Sequence, residues 1–261
     1  MSVRIFQIDA FTDELFHGNP AAVCPLEDWL PAETMQKIAM ENNLAETAFF
    51  VKGKDRYKIR WFTPAVEVDL CGHATLASAY VIFNFLGHEG PRVEFDSASG
   101  PLFAKRDGEY LTLDFPADVV VAARAPDLLM RALGAEPRET YKGKSDYLLV
   151  FGSQKEIEEM APDMGSLVQV PARGIIVTAR GDEVDFVSRF FAPQVGVPED
   201  PVTGSAHTIL TPYWAARLGK TELAAMQLSR RRGWLKCRPA GDRVEISGQA
   251  RAYLSGTIEI D

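Results

Sequence analysis

Residues 60–64 read RWFTP and residues 189–193 read RFFAP, an offset of 129. Val66 and Val68 meet Val195 and Val197 at the same offset. The second copy then gains three residues, so that Gly72 and Ala74 match Gly204 and Ala206 at an offset of 132. Leu86-Gly87 matches Leu218-Gly219 at that same offset. An ordered series of matches ending at the same helix-stop glycine constrains the fold more than any single motif does. The offset is about half of the 261 residues. Two copies at so long a period do not make a solenoid. They make two similar domains related by pseudo-symmetry.

Each copy has the same local order. An alternating strand comes first, YKIRWFTP at 57–64 and VDFVSRFFAP at 184–193. A loop with an acidic residue follows, Asp69 or Asp200. A glycine then opens an apolar run, HATLASAYVIFNFLG or SAHTILTPYWAARLG. Both runs are apolar nearly all round, which predicts a buried central helix. Pro212 is expected to kink the second. Short strands are expected at 2–10, 20–24, 46–52, 92–96, 101–106, 110–115, 145–151, 173–178, 234–238 and 243–247. Surface helices are expected at 31–43, 126–134 and 220–228. The class is therefore α+β: two pseudo-symmetric domains, each a mixed β-sheet rolled around a central helix. Pro116 closes the strand YLTLDFP. It sets the expected domains at 1–116 and 117–249, with a last strand near 250–261 returning to the first.

A helix start exposes unpaired backbone N–H groups and about half a positive charge. It is a ready anion site. Two such starts aimed into one interdomain cleft would hold a small carboxylate without an arginine. Gly72 and Gly204 allow close backbone approach, and His73 and Ser205 follow them at equivalent places. Glycine and small polar residues also begin helices for capping alone. Duplication of the whole loop favours a ligand site, since clefts between domains commonly hold ligands. Glu46 sits in NNLAETAFFV, among Leu44, Ala48 and Phe50 on one strand face. A carboxylate in so apolar a strand is expected to have a raised pKa and to suit proton transfer. It equally suits an edge strand guarded against aggregation, and the pattern alone leaves both readings open.

A net charge of −8 excludes broad nucleic-acid binding, which needs a basic surface. No apolar run reaches membrane-span length. The N-terminus MSVRIFQIDAF alternates like a strand rather than a signal peptide. Cys24, Cys71 and Cys237 are an odd, dispersed set, which fits a reducing cytoplasm. With four scattered histidines no zinc spacing emerges, and no metal is expected. Cys71 invites a nucleophile reading, yet single buried cysteines are commonly small hydrophobes. A two-thiol mechanism needs a second cysteine at the other helix start, where the chain reads Pro201, Val202 and Thr203. His17 and His88 fall in turn-like segments, and His207, one turn into the second helix, reaches either the cleft or the core.

Four stretches, QIDAFTDELFHGNPAAVC, NNLAETAFF, FTPAVEVDLCGHATLA and EDPVTGSAH, spread from residue 7 to residue 207. As a set they resemble the PhzF-like family, the phenazine-biosynthesis isomerase group with a diaminopimelate epimerase-like fold. The resemblance implies cofactor-independent isomerisation of a small carboxylic acid in the interdomain cleft, as part of a biosynthetic process. It places the catalytic glutamate on Glu46, with His73, Asp200 and Ser205 as its polar partners. It places substrate contacts on Gly18, Asn19, Cys71, Gly72, Ala74, Gly204 and Ala206. A homodimer with no cofactor, no membrane and no nucleic acid completes the expectation. The missing second cysteine departs from the epimerases and favours a single glutamate base. Three alternatives stand beside it: an amino-acid racemase or epimerase using Cys71, a thiol hydrolase built on Cys71 and His73, and a non-catalytic metabolite-binding protein on the same fold.

Overall fold

The computed structural model describes residues 1–260. The chain forms two compact units. The first comprises Met1–Asp114 and the segment from Ile246 onward; the second comprises Phe115–Glu245.

In the first unit, Ser2–Ala10 (β1) pairs antiparallel with Asn19–Leu26 (β2). Ala32–Asn42 (α1) follows, ending on Asn43 in the left-handed conformation. Glu46–Lys52 (β3) runs parallel to β2 with Ala21 opposite Glu46. Tyr57–Phe62 (β4) runs antiparallel to β3 with Phe62 opposite Thr47. The short Glu67–Val68 (β5) hooks back on β4. Gly72–Phe85 (α2) is the central helix, packed on β1, β2 and β3 with ten buried residues on all its sides. Arg92–Ser97 (β6) lies parallel to β4, and Gly100–Asp107 (β7) folds back on it. Tyr110–Pro116 (β8) leads out of this unit.

The second unit repeats the plan. It opens with Val121–Ala122 (β9), Asp127–Leu133 (α3) and Glu139–Lys142 (β10). Asp146–Val150 (β11) is followed by two short helices, Gln154–Glu158 (α4) and Met164–Leu167 (α5). Gly174–Arg180 (β12) runs parallel to β11 with Asp146 opposite Gly174. Phe186–Ala192 (β13) runs antiparallel to β12 with Phe191 opposite Ile175. Val197–Asp200 (β14) hooks back on β13, and Gly204–Leu218 (α6) is the central helix. Leu223–Gln227 (β15) lies parallel to β13 and antiparallel to Gly233–Ala240 (β16). Arg243–Gly248 (β17) leads back, and Ala250–Glu259 (β18) pairs along β1 over its whole length.

The pairings put β2, β3, β4, β5, α2 and β6 in the same order as β11, β12, β13, β14, α6 and β15. The repeated arginines explain themselves in this frame. Arg60 clamps Glu67 with two bonds of 2.6 and 2.7 Å, and Arg189 clamps Glu199 with two of 2.7 and 3.0 Å. Each fixes the hook that precedes its central helix.

The expected helix at 220–228 is a strand, β15. Leu, Ala and Met favour a helix locally. Here hydrogen bonding on both sides, to β13 and to β16, overrides that preference. Helix α6 continues through Pro212. The missing N–H at that position leaves the Thr208 carbonyl without its helical donor. The Asp118 N–H supplies one at 3.2 Å. Among the described residues no helix is long and apolar enough to cross a membrane.

Candidate active site

The loop before β2 is held by Asp9, buried to 1 %, whose carboxylate accepts from the Phe16 N–H at 2.9 Å. Gly18 closes that loop at φ +64, where a Cβ would lie 2.1 Å from the Ala10 oxygen. Only glycine fits there. The turn delivers Asn19, fully buried, to the first position of β2.

Asn19 meets His73, the second residue of α2. Its Nδ2 lies 3.2 Å from His73 Nδ1. An amide nitrogen donates, so Nδ1 accepts and the ring hydrogen sits on Nε2. Nε2 stands 3.2 Å from Glu46 Oε2. Glu46 is the first residue of β3, one place from buried Thr47, and its side chain keeps 18 % of its surface exposed. Burial pushes the His73 pKa down from 6.5 to about 3. The imidazole is therefore neutral at physiological pH, and the approach to Glu46 is not an ion pair. Cys71 Sγ lies 3.5 Å from His73 Nδ1. Cys71, His73 and Glu46 present donor atoms within 4.8 Å of one another, a set of sulfur, nitrogen and oxygen that could ligate an ion. Cys71 and Glu46 approach opposite nitrogens of the ring, however. The two groups therefore bracket the ring rather than converge on one ligand point.

Helix α2 begins without a side-chain cap, since Cys71 at its N-cap makes no such bond. Helix α6 also begins uncapped. Its N-cap Thr203 is a residue that normally caps, but its hydroxyl is donated to Asp200 Oδ2 at 2.5 Å. Gln227, fully buried, braces the same loop. Its Oε1 accepts from Thr203 N–H at 2.8 Å and its Nε2 donates to the Asp200 carbonyl at 2.8 Å. His207 is fully buried, with Nδ1 2.8 Å from the Thr203 carbonyl and its pKa pushed down to about 4 by burial. Its place is the helix core. Ser205, the counterpart of His73, accepts from Arg173 Nη2 at 3.1 Å.

The sequence-derived residues thus fall into two groups. Asn19, Glu46, Cys71 and His73 come together in the first unit, beside Gly18 and Gly72. Asp200 and Ser205 flank the start of α6 in the second, beside Gly204. Ala74 and Ala206 are 0 and 1 % exposed, so neither side chain offers a surface to a ligand. Thr203, Gln227, Arg173 and Asp146 were not foreseen. Gln227 lies in the stretch read as a helix, and Arg173 meets Asp146 only through the β11–β12 pairing. An arginine directly before a glycine that opens an apolar strand, ARGIIV, was the one visible signal.

The relatives make the chain an isomerase, and its fold is one that epimerases share. The chain belongs to the PhzC-PhzF family of phenazine biosynthesis-like proteins, which matches residues 8–256. An uncharacterized isomerase of Pseudomonas aeruginosa is 54 % identical over 260 residues, covering 100 % of both chains. A PhzF-family phenazine biosynthesis protein of Enterococcus faecalis superposes with a TM-score of 0.97 at 46 % identity, again over 100 % of both chains. A predicted epimerase of Pseudomonas aeruginosa shares the fold at a TM-score of 0.75 and 19 % identity, over 99 % of this chain and 100 % of that one.

Proposed function

We propose that the protein is a one-base isomerase of a small carboxylic acid, working without a cofactor. Glu46, as carboxylate, takes a proton from a carbon beside an unsaturated or carbonyl group. The acid so formed returns that proton to another carbon of the same conjugated frame. The uncapped N–H groups at the start of α2 stabilise the charge that develops on the substrate. Asp200 and Ser205 hold polar substrate groups.

The observation carrying this reading is the 3.2 Å approach of Glu46 to a histidine held neutral by burial. A charged imidazole would lock the carboxylate in an ion pair and weaken it as a base. A neutral ring leaves the carboxylate free of that ion pair. The Cys71–His73 contact favours a second reading, a racemase with Cys71 as one base. That reading lacks a partner thiol: the N-cap equivalent to Cys71 is Thr203, and Cys237 is buried in β16 with its pKa pushed up to about 12. The test is proton exchange, followed by 1H NMR in D2O, on a panel of small unsaturated carboxylic acids. Glu46→Gln is expected to lose at least about a hundredfold in exchange rate while keeping its fold. Full activity in that variant sinks the proposal.

A further inference from the structure

Arg173 precedes β12 and lies beside the first residue of β11. Its backbone N–H donates to the Ser145 carbonyl at 3.0 Å. Its Nε donates to Asp146 Oδ1 at 2.9 Å, and its Nη2 donates to Asp146 Oδ2. Asp146 is 1 % exposed, so the carboxylate that grips the guanidinium is itself buried. Phe190 lies under the guanidinium, with its ring centroid 5.5 Å from Cζ. Gly174 makes room for this arrangement. A Cβ there would fall 2.1 Å from Phe190 Cζ and 3.1 Å from Asp146 Oδ1.

The guanidinium is thus fixed along one edge, on one face and at Ser205. What remains is informative. Nη2 spends its second hydrogen on Ser205 Oγ. Ser205 is the acceptor in that bond, so its own O–H is left to donate. Among the described residues neither the Ser205 O–H nor either Nη1 hydrogen meets an acceptor. Two neighbouring donor groups, one on a cation, therefore point away from the protein's own acceptors. Arg173 keeps 40 % of its side-chain surface exposed. A pre-oriented fork of this kind matches a carboxylate.

The repeat sharpens the point. Glu46 lies opposite Ala21 across β2 and β3, and Gly174 lies opposite Asp146 across β11 and β12. Glu46 and Gly174 are therefore equivalent, with Arg173 one residue before. His73 and Ser205 are equivalent second residues of the two central helices. In the first unit the strand start sends a carboxylate to the second helix residue, at 3.2 Å. In the second unit it sends a guanidinium there, at 3.1 Å. Strand starts that are equivalent to within one residue thus carry opposite charge in the two copies.

We infer that Arg173, held by Asp146, and the Ser205 hydroxyl together form a carboxylate-binding site in the second unit.

The test uses the full chain and a matched pair of probes, but-3-enoate and its neutral amide, but-3-enamide, with binding measured by calorimetry. Wild type should favour the carboxylate by about tenfold or more, the scale of a charge-assisted contact. Arg173→Gln, with fold checked by circular dichroism, should lose that preference. Arg173→Lys keeps the charge without the fork and should lose at least about threefold; it carries the test if the glutamine variant does not fold. Glu46→Gln should keep the preference. A wild type that does not distinguish the probes, or position 173 variants that distinguish them as well as wild type, overturns the inference and leaves Arg173 a structural strut. If Arg173→Gln loses the preference while Glu46→Gln still exchanges protons at full rate, the anion site stands and the one-base reading fails.

Discussion

Glu46 and His73 stand 3.2 Å apart because two local rules coincide: a strand begins on the acid, and a helix begins one residue before the imidazole. The burial that keeps His73 neutral has a consequence for stability. Its pKa falls from 6.5 to about 3 and that of His207 to about 4 on folding. Between those values and 6.5 the unfolded chain binds more protons, so stability rises with pH. The contribution is complete above about pH 6.5 and is lost as pH falls towards 3–4. Each buried histidine should cost about 2 kcal/mol at pH 5 relative to pH 7. Urea unfolding at the two pH values checks this, and His207→Asn should show a clearly smaller drop. Gly18→Ala should lower the melting temperature, by strain and by the clash with the Ala10 oxygen. An unchanged melting temperature would contradict the turn geometry. At this scale the motifs made Asn19, Glu46, Cys71 and His73 legible, because each sits within a few residues of a glycine or a strand start. Arg173 and Asp146 were not, because 27 residues separate them and only a parallel register joins them.

The strand–hook–helix element appears twice, and the loops before the two helices are braced differently. Before α2 the brace is His73 itself, tied to Asn19. Before α6 it is Gln227, reaching from β15 to Thr203 and Asp200. Gln227→Leu keeps the volume roughly but strands the buried Thr203 N–H. It should destabilise the protein by about 1–3 kcal/mol, read from the urea midpoint; a loss near zero would mean that the loop is held by something else. Helices α1 and α3 were readable, since each starts directly after a proline and stops on a left-handed residue. Helices α4 and α5, at five and four residues, are too short to show a period. Strand β15 was misread because its composition favours a helix, while one of its pairing partners, β13, lies far off in sequence.

At the scale of the molecule, the first unit is discontinuous and the second is not. Strand β18 returns to pair with β1 from Ser2 to Ala10, and the second unit has its own apolar core around Leu129, Leu149, Ile157 and Phe191. The fragment 115–245 should therefore fold cooperatively by itself, as judged by circular dichroism and thermal melting. Removal of residues 250 onward should unfold the first unit and leave the second intact; a folded first unit without β18 would contradict that view. The repeat made the two-fold plan readable from RWFTP and RFFAP, though not the opposite charges that the two copies carry. The central claim is that one glutamate moves the proton and the neighbouring thiol does not. Proton exchange into a small unsaturated carboxylate in D2O, compared for Glu46→Gln and Cys71→Ser, tests it most directly. Exchange should fall at least about a hundredfold in Glu46→Gln and stay within a few-fold of wild type in Cys71→Ser. The reverse order, with the cysteine variant dead and the glutamine variant active, would contradict the account.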